Sequence, residues 1–290
     1  MPSAQNYCKD LQRTLARLRS GKLQVRIPPR QELHRKRPNS HFHPNPELFI
    51  QTGGATDFDC AGQTFQLGTG EICVMPRGVP HAETPVDLDT PYSIIVCMNV
   101  QEGLYLMRAR ADASRRILGH DHIRLISTRG HDIFRYLDDI SNLDHIPAKH
   151  RHAYTRALLE AFFITTCSEL SQPAKLVARP GSPLVAEAEK FVHAHLSEPK
   201  LSVAGIALAL NCTPDHLSRM FHRHRRLTLS TWIAQERIAQ ARSLLRSGTY
   251  NISEVGWACG FNEPSYFIRT FKRHVGMTPR QYRLSLAEKN

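Results

Sequence analysis

Apolar residues recur in three rhythms along the chain. Over residues 7–19, Cys8, Leu11, Leu15 and Leu18 stand at helical spacing and predict a short amphipathic helix. From about residue 23 to 98 the apolar stretches shorten and alternate with Gly, Pro, Asn and Asp, at 25–27, 48–51, 64–67, 72–75 and 93–98. Short strands at this spacing predict an all-β barrel or sandwich. Helical spacing returns over 104–116, 133–143 and 152–170, the last carrying Tyr154, Leu158, Ala161, Phe162 and Thr165 on one stripe. Residues 171–183 read SQPAKLVARPGSP, where proline, glycine and serine replace the apolar period. Helix then resumes at Leu184, with Ala188, Phe191 and His195 one face apart.

This pattern divides the 290 residues into a β-rich domain with flanking helices over 1–170, a linker over 171–183 and an all-α domain over 184–290. The formal net charge is +12, and residues 184–290 hold 15 Lys+Arg against 8 Asp+Glu. The basic excess is densest in the helical domain and favours a polyanionic partner there. The seven cysteines form no C-x-x-C pair and sit mostly in apolar runs, which fits buried free thiols in a reducing compartment. Residues 1–21 are polar and charged, and no apolar run approaches the roughly 20 residues of a membrane span. A cytoplasmic protein with no membrane partner is expected. The histidines at 120, 122, 131, 145, 150 and 152 have no ligand spacing on a defined element and read as solvated surface.

One constellation stands out in the β-rich part. His41, His43, Glu47 and Gly54 are followed by Gly70, Pro76, Gly78 and His81. The order resembles the two signature motifs of the cupin superfamily, H-x-H-x3-E-x6-G and G-x5-P-x-G-x2-H-x3-N. Two positions depart from it: Arg35 replaces an expected glycine and Pro85 the final Asn. On a strand His41 and His43 would share a face, and Glu47 would reach it once the chain turns at Pro44-Asn45-Pro46. Phe49 and Gln51 would then point inward too. The four ligand-type residues His41, His43, Glu47 and His81 admit two readings. They are hydrogen-bonding groups lining a small-molecule (effector) pocket, or ligands of a divalent metal such as Zn, Fe, Ni or Mn.

The last hundred residues contain a repeat. Residues 252–283 read ISEVGWACGFNEPSYFIRTFKRHVGMTPRQYR, and 201–224 read LSVAGIALALNCTPDHLSRMFHRH. At an offset of about 50 residues, Val203, Ile206 and Ala207 match Ile252, Val255 and Gly256. Leu217, Arg219 and Phe221 match Phe267, Arg269 and Phe271. Each copy is a short apolar helix, a tight turn and a helix with a basic outer face, the layout of a helix-turn-helix. A long helix over 232–246, with Ala234, Ile238, Ala241 and Leu245 on one stripe, joins them.

Two such units on one connector, with the string GF-x3-SYF-x3-FKR-x2-G-x-TP-x2-YR, resemble the AraC/XylS family of bacterial transcription regulators. Many members carry a cupin-like sensor barrel at the N-terminus. The resemblance implies base contacts from Asp215, Ser218, Arg219 and His222 in the first recognition helix, and from Pro264, Ser265, Ile268 and Arg269 in the second. Arg223, Lys272 and Arg273, further along their helices, are expected to hold phosphate, and Leu217, Phe221, Tyr266, Phe267 and Phe271 to form core. Two departures carry expectations. Arg225-Arg226 stands where a helix-ending glycine is usual, implying a differently ended helix with two extra charges near the DNA backbone. Gly256 stands where alanine is usual, implying a softer second unit.

The expected fold class is therefore α+β in two domains, a cupin-like β-barrel with flanking helices and an all-α double helix-turn-helix. The resemblance implies a non-enzymatic, sequence-specific regulator of transcription, an activator rather than a repressor, acting on double-stranded DNA under control of a small-molecule effector. RNA polymerase and a second copy of the chain are the further partners it implies. The alternative is a metal-binding cupin that senses metal or acts as a metalloenzyme.

Overall fold

A computed structural model gives the structure and describes residues 4–29, 43, 45–60, 63–87, 89–100, 103–111, 117–126, 130–172, 182–247 and 250–287. The chain forms two compact units that part between the helix ending at Leu170 and the one starting at Pro183.

In the N-terminal unit, helix α1 (Ala4–Arg19) precedes β1 (Val25–Arg26), β2 (Glu47–Gly53), β3 (Ala55–Cys60), β4 (Gln63–Gly68), β5 (Ile72–Met75) and β6 (His81–Pro85). There follow β7 (Ser93–Val100), β8 (Gly103–Ala111), β9 (Ile117–Ile126), α2 (Gly130–Ile140) and α3 (Ala148–Leu170). Six strands pair in the order β1-β5-β2-β7-β8-β9, and β4-β3-β6 form a second sheet. Side-chain alternation sends neighbours on β2 to opposite faces. Leu48 and Ile50 join a core with Tyr7 and Leu11 of α1, Phe134 of α2 and Phe162 of α3. Phe49 points the other way, into a core shared by both sheets with Phe58, Leu67, Met75 and Val96. With both faces covered, strands of the large sheet read as nearly continuous apolar runs.

That double burial explains one misreading. Residues 104–116 carry helical spacing, yet over its described part, 104–111, the chain is strand β8, pairing with β7 from Ser93↔Arg110 to Val100↔Gly103 and with β9 on its other side. Leu104 and Leu106 pack towards the helices, and Tyr105 and Met107 towards the inter-sheet core. A four-residue apolar run of this kind fits either period, and the open edge of β7 decides it. A buried Arg108 then donates from Nη2 to Asp10 Oδ2 at 2.5 Å and stacks 5.2 Å from the Tyr7 ring, fastening α1 to the sheet.

The C-terminal unit is α4 (Pro183–His195), α5 (Val203–Ala209), α6 (Pro214–Arg225), α7 (Leu229–Ser247), α8 (Ile252–Ala258), α9 (Pro264–Val275) and α10 (Pro279–Ala287). Its first half packs Val185, Ala188 and Val192 of α4 against Ile206, Ala207, Leu217, Phe221 and Trp232. In the second half Phe261, Phe267, Phe271 and Tyr282 form a chain of ring contacts at 5.2–5.8 Å between centroids.

Gly256 belongs to that packing. A Cβ there would lie 3.0 Å from Cδ1, 3.1 Å from Cγ and 3.3 Å from Cβ of Phe267. The first copy has the methyl of Ala207 opposite the smaller Leu217, both fully buried. Large-beside-small is thus kept in both copies with the sizes redistributed, and Gly256 is not simply a weak helix residue. Gly256→Ala should destabilise the unit despite a gain of roughly 1 kcal/mol in helix propensity, because the Phe267 Cβ is fixed to its backbone and overpacking costs about 1–3 kcal/mol. Adding Phe267→Leu should recover part of the loss. Urea unfolding of the two single variants and the double variant measures this coupling, and strict additivity would remove the size-compensation account.

Candidate nucleic-acid interface and ligand site

Both helix-turn-helix units are set by local capping. Ser202 Oγ accepts from Gly205 N at 3.2 Å ahead of α5, and Thr213 Oγ1 accepts from His216 N at 3.3 Å ahead of α6. Before α8 the Asn251 and Glu254 side chains form a reciprocal capping box. Pro214 and Pro264 occupy the first turns of α6 and α9, where no backbone donor is lost.

On α6, Leu217 and Phe221 are buried, and Asp215, Ser218, Arg219 and His222 form an exposed stripe at i, i+3, i+4 and i+7. On α9, Phe267, Thr270 and Phe271 are buried, and Ser265, Ile268, Arg269 and Lys272 repeat the stripe. Arg223 and Arg273 are exposed beside them, and Pro264 is half-buried. Tyr266 corrects the sequence reading: expected in the core, it is 51% exposed. One residue before Phe267, it is turned about 100° from it, with its ring 5.9 Å from that of Phe261.

The end of the first recognition helix also differs from expectation. Arg226 adopts φ 60° and its N–H donates to His222 O at 2.8 Å; Gly276 adopts φ 84° and its N–H donates to Lys272 O at 2.8 Å. Both helices therefore stop in the same left-handed cap, α6 at an arginine, where that backbone costs on the order of 1–3 kcal/mol. Arg225 is not spare charge for a phosphate backbone: it pairs with Glu189 of α4 and lies 5.9 Å over the Trp232 ring.

Arg237, on α7, was not singled out by sequence. Its Nε donates to Leu196 O at 3.0 Å and its Nη2 to Glu198 O at 2.7 Å, and it sits 5.7 Å over the Phe261 ring. Burial lowers its pKa from the ordinary value. Gly260, at φ 79°, is held close: a Cβ would fall 2.6 Å from Leu196 O. The turn of the second unit is thereby fixed against the chain just beyond α4.

In the N-terminal unit the second cupin-like motif runs from the turn before β5, through β5 and the loop after it, to the start of β6. Val79 N donates to Pro76 O at 3.3 Å, and Gly78, at φ 74°, donates its N–H to His43 O at 2.8 Å. That bond brings His43 to the site. His43 precedes β2 and does not lie on a strand, so the expected strand alternation is not what positions it. His41 lies outside the described residues. Glu47, opening β2, and His81, opening β6, are buried. His43 Nε2 lies 3.5 Å from Glu47 Oε1, and His81 Nε2 lies 3.4 Å from Glu47 Oε2. Phe49 follows Glu47 inward, edge-on to His81 at 5.9 Å, and Gln51 is buried with its Oε1 accepting from Thr56 Oγ1 at 2.8 Å. Thr56 Oγ1 also lies 3.0 Å from Tyr92 Oη, adding two polar groups that no motif flagged. Arg77 of the same loop pairs with Asp138 of α2, its Nε donating to Oδ1 at 2.7 Å.

Burial pushes the His81 imidazole pKa down, but the Glu47 hydrogen bond and the Glu83 and Glu47 charges outweigh it and lift it to about 8. Metal fits the donor set. Ligand atoms of His43, Glu47 and His81 lie within 4.8 Å of one another. His81 Nδ1 is 2.8 Å from Val79 O, which leaves Nε2 facing Glu47 and is the usual backbone support of a ligating imidazole. An ion would have to displace the proton that His81 holds at neutral pH.

A two-copy helix-turn-helix unit and a β-sheet unit with a buried polar site define the protein's class. The sequence profile of an AraC-like ligand binding domain matches residues 25–97, and that of a helix-turn-helix domain matches residues 195–285. Both regions are thus similar to the corresponding parts of AraC/XylS-type regulators. The chain is 31% identical to the arabinose operon regulatory protein of Escherichia coli (strain K12) over 105 residues, 36% of each chain. It is 37% identical to the HTH-type transcriptional activator RhaR of Yersinia pestis bv. Antiqua (strain Angola) over 67 residues, 23% of each chain. The match thus spans about a third or less of the length of these relatives. Among solved structures, the DNA-binding domain of AdpA in complex with a target DNA is similar at 27% identity, covering 38% of this chain and 97% of that one, with a TM-score of 0.36.

In metal-free protein His81 should titrate near 8, and Glu47→Gln should lower that value, since burial then acts against less negative charge. Because the folded value exceeds the unfolded one, its stabilisation is complete below 6.5 and is lost as pH rises through 8. Ring-proton NMR titration reads the first effect and thermal unfolding across this window the second.

Proposed function

We propose that the chain is a sequence-specific DNA-binding regulator of transcription, an activator rather than a repressor, controlled by a small-molecule effector bound in the N-terminal β-sheet unit. The single observation that carries it is the pair of matched exposed stripes, each on a helix that a proline opens and each presenting an arginine at the same place, Arg219 and Arg269. An arginine fork bonds bidentately to a guanine edge. Asp215, Ser218 and His222 would read bases beside Arg219, and Pro264, Ser265 and Ile268 beside Arg269. Arg223, Lys272 and Arg273 would hold phosphate. Two such helices on one connector suit successive major-groove faces about 34 Å apart, and so an asymmetric, direct-repeat-like site. A homodimer would bind two of these, and an activator would act on RNA polymerase in the cytoplasm.

The effector would lie near His41, His43, Glu47 and His81, in a site read as binding rather than catalytic. Arg77 ties the loop that carries His81 to α2, so a ligand that prefers one position of the loop also biases that helix. DNA affinity should fall steeply with salt. Arg269→Ala should cost about 1–3 kcal/mol and relax base preference at one position. Weakening that is uniform across sequences would assign Arg269 to phosphate, and loss of all sequence selectivity in the unaltered protein would sink the regulator reading.

A second reading rests on the three clustered donors. His43, Glu47 and His81 would hold a divalent ion, with His41 as a further ligand. When bound, such an ion would supply a Lewis-acidic centre for an anionic or carbonyl effector, or be the sensed species itself. Elemental analysis of protein purified without an affinity tag should find stoichiometric metal that His43→Ala abolishes. Metal at background would leave the small-molecule pocket alone.

A further inference from the structure

The exposed stripes of α6 and α9 correspond residue for residue at an offset of 50: Asp215 with Ser265, Ser218 with Ile268, Arg219 with Arg269, His222 with Lys272. The arginine is common to both. Its neighbour is not: α6 offers a hydroxyl, and α9 offers a branched hydrocarbon. Ile268 is 37% exposed and lies about 60–100° round α9 from the fully buried Phe271 and Phe267. It stands at the edge of the outward face, beside the exposed Ser265, Arg269 and Lys272. Pro264, at the start of the helix, brings an apolar ring and no N–H. On this stripe, the side-chain hydrogen-bond donors at the leading end of α9 are Ser265 and Arg269.

We propose that Ile268 reads a thymine methyl group, so that the half-site under α9 is specified by a methyl contact beside one arginine–guanine contact, whereas the half-site under α6 is read through polar side chains. This rests on the DNA-binding reading above and sharpens it. In the major groove the thymine C5-methyl is the apolar feature that a base pair displays, and a hydrocarbon side chain is matched to it. A β-branched residue in a helix keeps essentially one χ1 rotamer, so Ile268 is rigid before it meets the groove. Adjacent helix positions point about 100° apart. Ile268 and Arg269 then read different base pairs, and the thymine lies within a step or two of the guanine.

The test uses the full chain and a preferred duplex selected from a random-sequence pool. Each thymine of the half-site under α9 is replaced in turn by deoxyuridine, which keeps the Watson–Crick face and removes the methyl. At one position Kd should rise roughly fourfold, the effect of about one buried methyl group. Ile268→Ser, which copies the first helix, should weaken binding to the thymine duplex by a similar factor and make the protein indifferent to deoxyuridine there. Its guanine preference through Arg269 should survive, and this shows that the variant is folded. A selected site at which no deoxyuridine matters overturns the inference, as does a deoxyuridine effect that persists in Ile268→Ser. Both leave the regulator reading standing. Failure to enrich any sequence overturns that reading, and this inference with it.

Discussion

The half-buried guanidinium of Arg237 holds the helical unit to one arrangement. Its two carbonyl partners, at Leu196 and Glu198, lie just past the C-terminus of α4, where unpaired acceptors and the helix dipole favour a cation. Its flat face meets Phe261, in the turn of the second helix-turn-helix. Desolvating this charge is expensive, and the paired carbonyls and the ring offset the cost only if α4, α7 and the α8–α9 turn keep their places together. Gly260 shows how tight the fit is, since no side chain could lie between that turn and Leu196. A protein that reads two groove faces a fixed distance apart needs such a constraint, because α7 alone would set the spacing of its ends but not the rotation of one unit about the other.

A comparable economy governs the N-terminal unit, where one short loop makes three ties. Gly78 holds the His43 backbone, Val79 orients the His81 ring, and Arg77 reaches Asp138 on α2. The loop is thus part of the polar site and part of the helix packing at once. A change in what His43, Glu47 and His81 bind would alter the strain on this loop, and the ion pair to α2 would feel it.

The sequence made this architecture legible where one residue type answers one local demand. The repeat was visible because packing and surface positions recur together at the same offset, and the cupin-like motif because glycine and proline must punctuate its loop. Residues 104–111 were not legible as a strand, because burial on two faces erases the period of two that distinguishes it from a helix. Arg237 was silent for another reason: its partners lie about 40 positions away, and a lone arginine on a helix does not announce that it faces carbonyls. Tyr266 was misplaced because an aromatic next to a core phenylalanine looks like core until the helical angle between them is drawn. His43 reached its site through a backbone bond from Gly78, which no side-chain pattern encodes.

The two reading units have also divided their strain unequally, against the direction that Gly256 alone implied. Each unit needs two left-handed backbone positions, one in its turn and one at the end of its recognition helix. The second unit fills both with glycine, Gly260 and Gly276; the first fills them with Asn211 at φ 51° and Arg226 at φ 60°. Asparagine tolerates that region better than most residues, but arginine does not. The second unit further has a full capping box before α8, where α5 has a serine cap alone. Gly256, the feature that made the second unit look softer, is matched to Phe267 and so is no net weakness. The first unit therefore carries the stored cost, next to its recognition helix. It is held in place by contacts with α4: the Arg225–Glu189 pair and the Val185, Ala188 and Val192 core. A loosening of α4 would release α6 before α9.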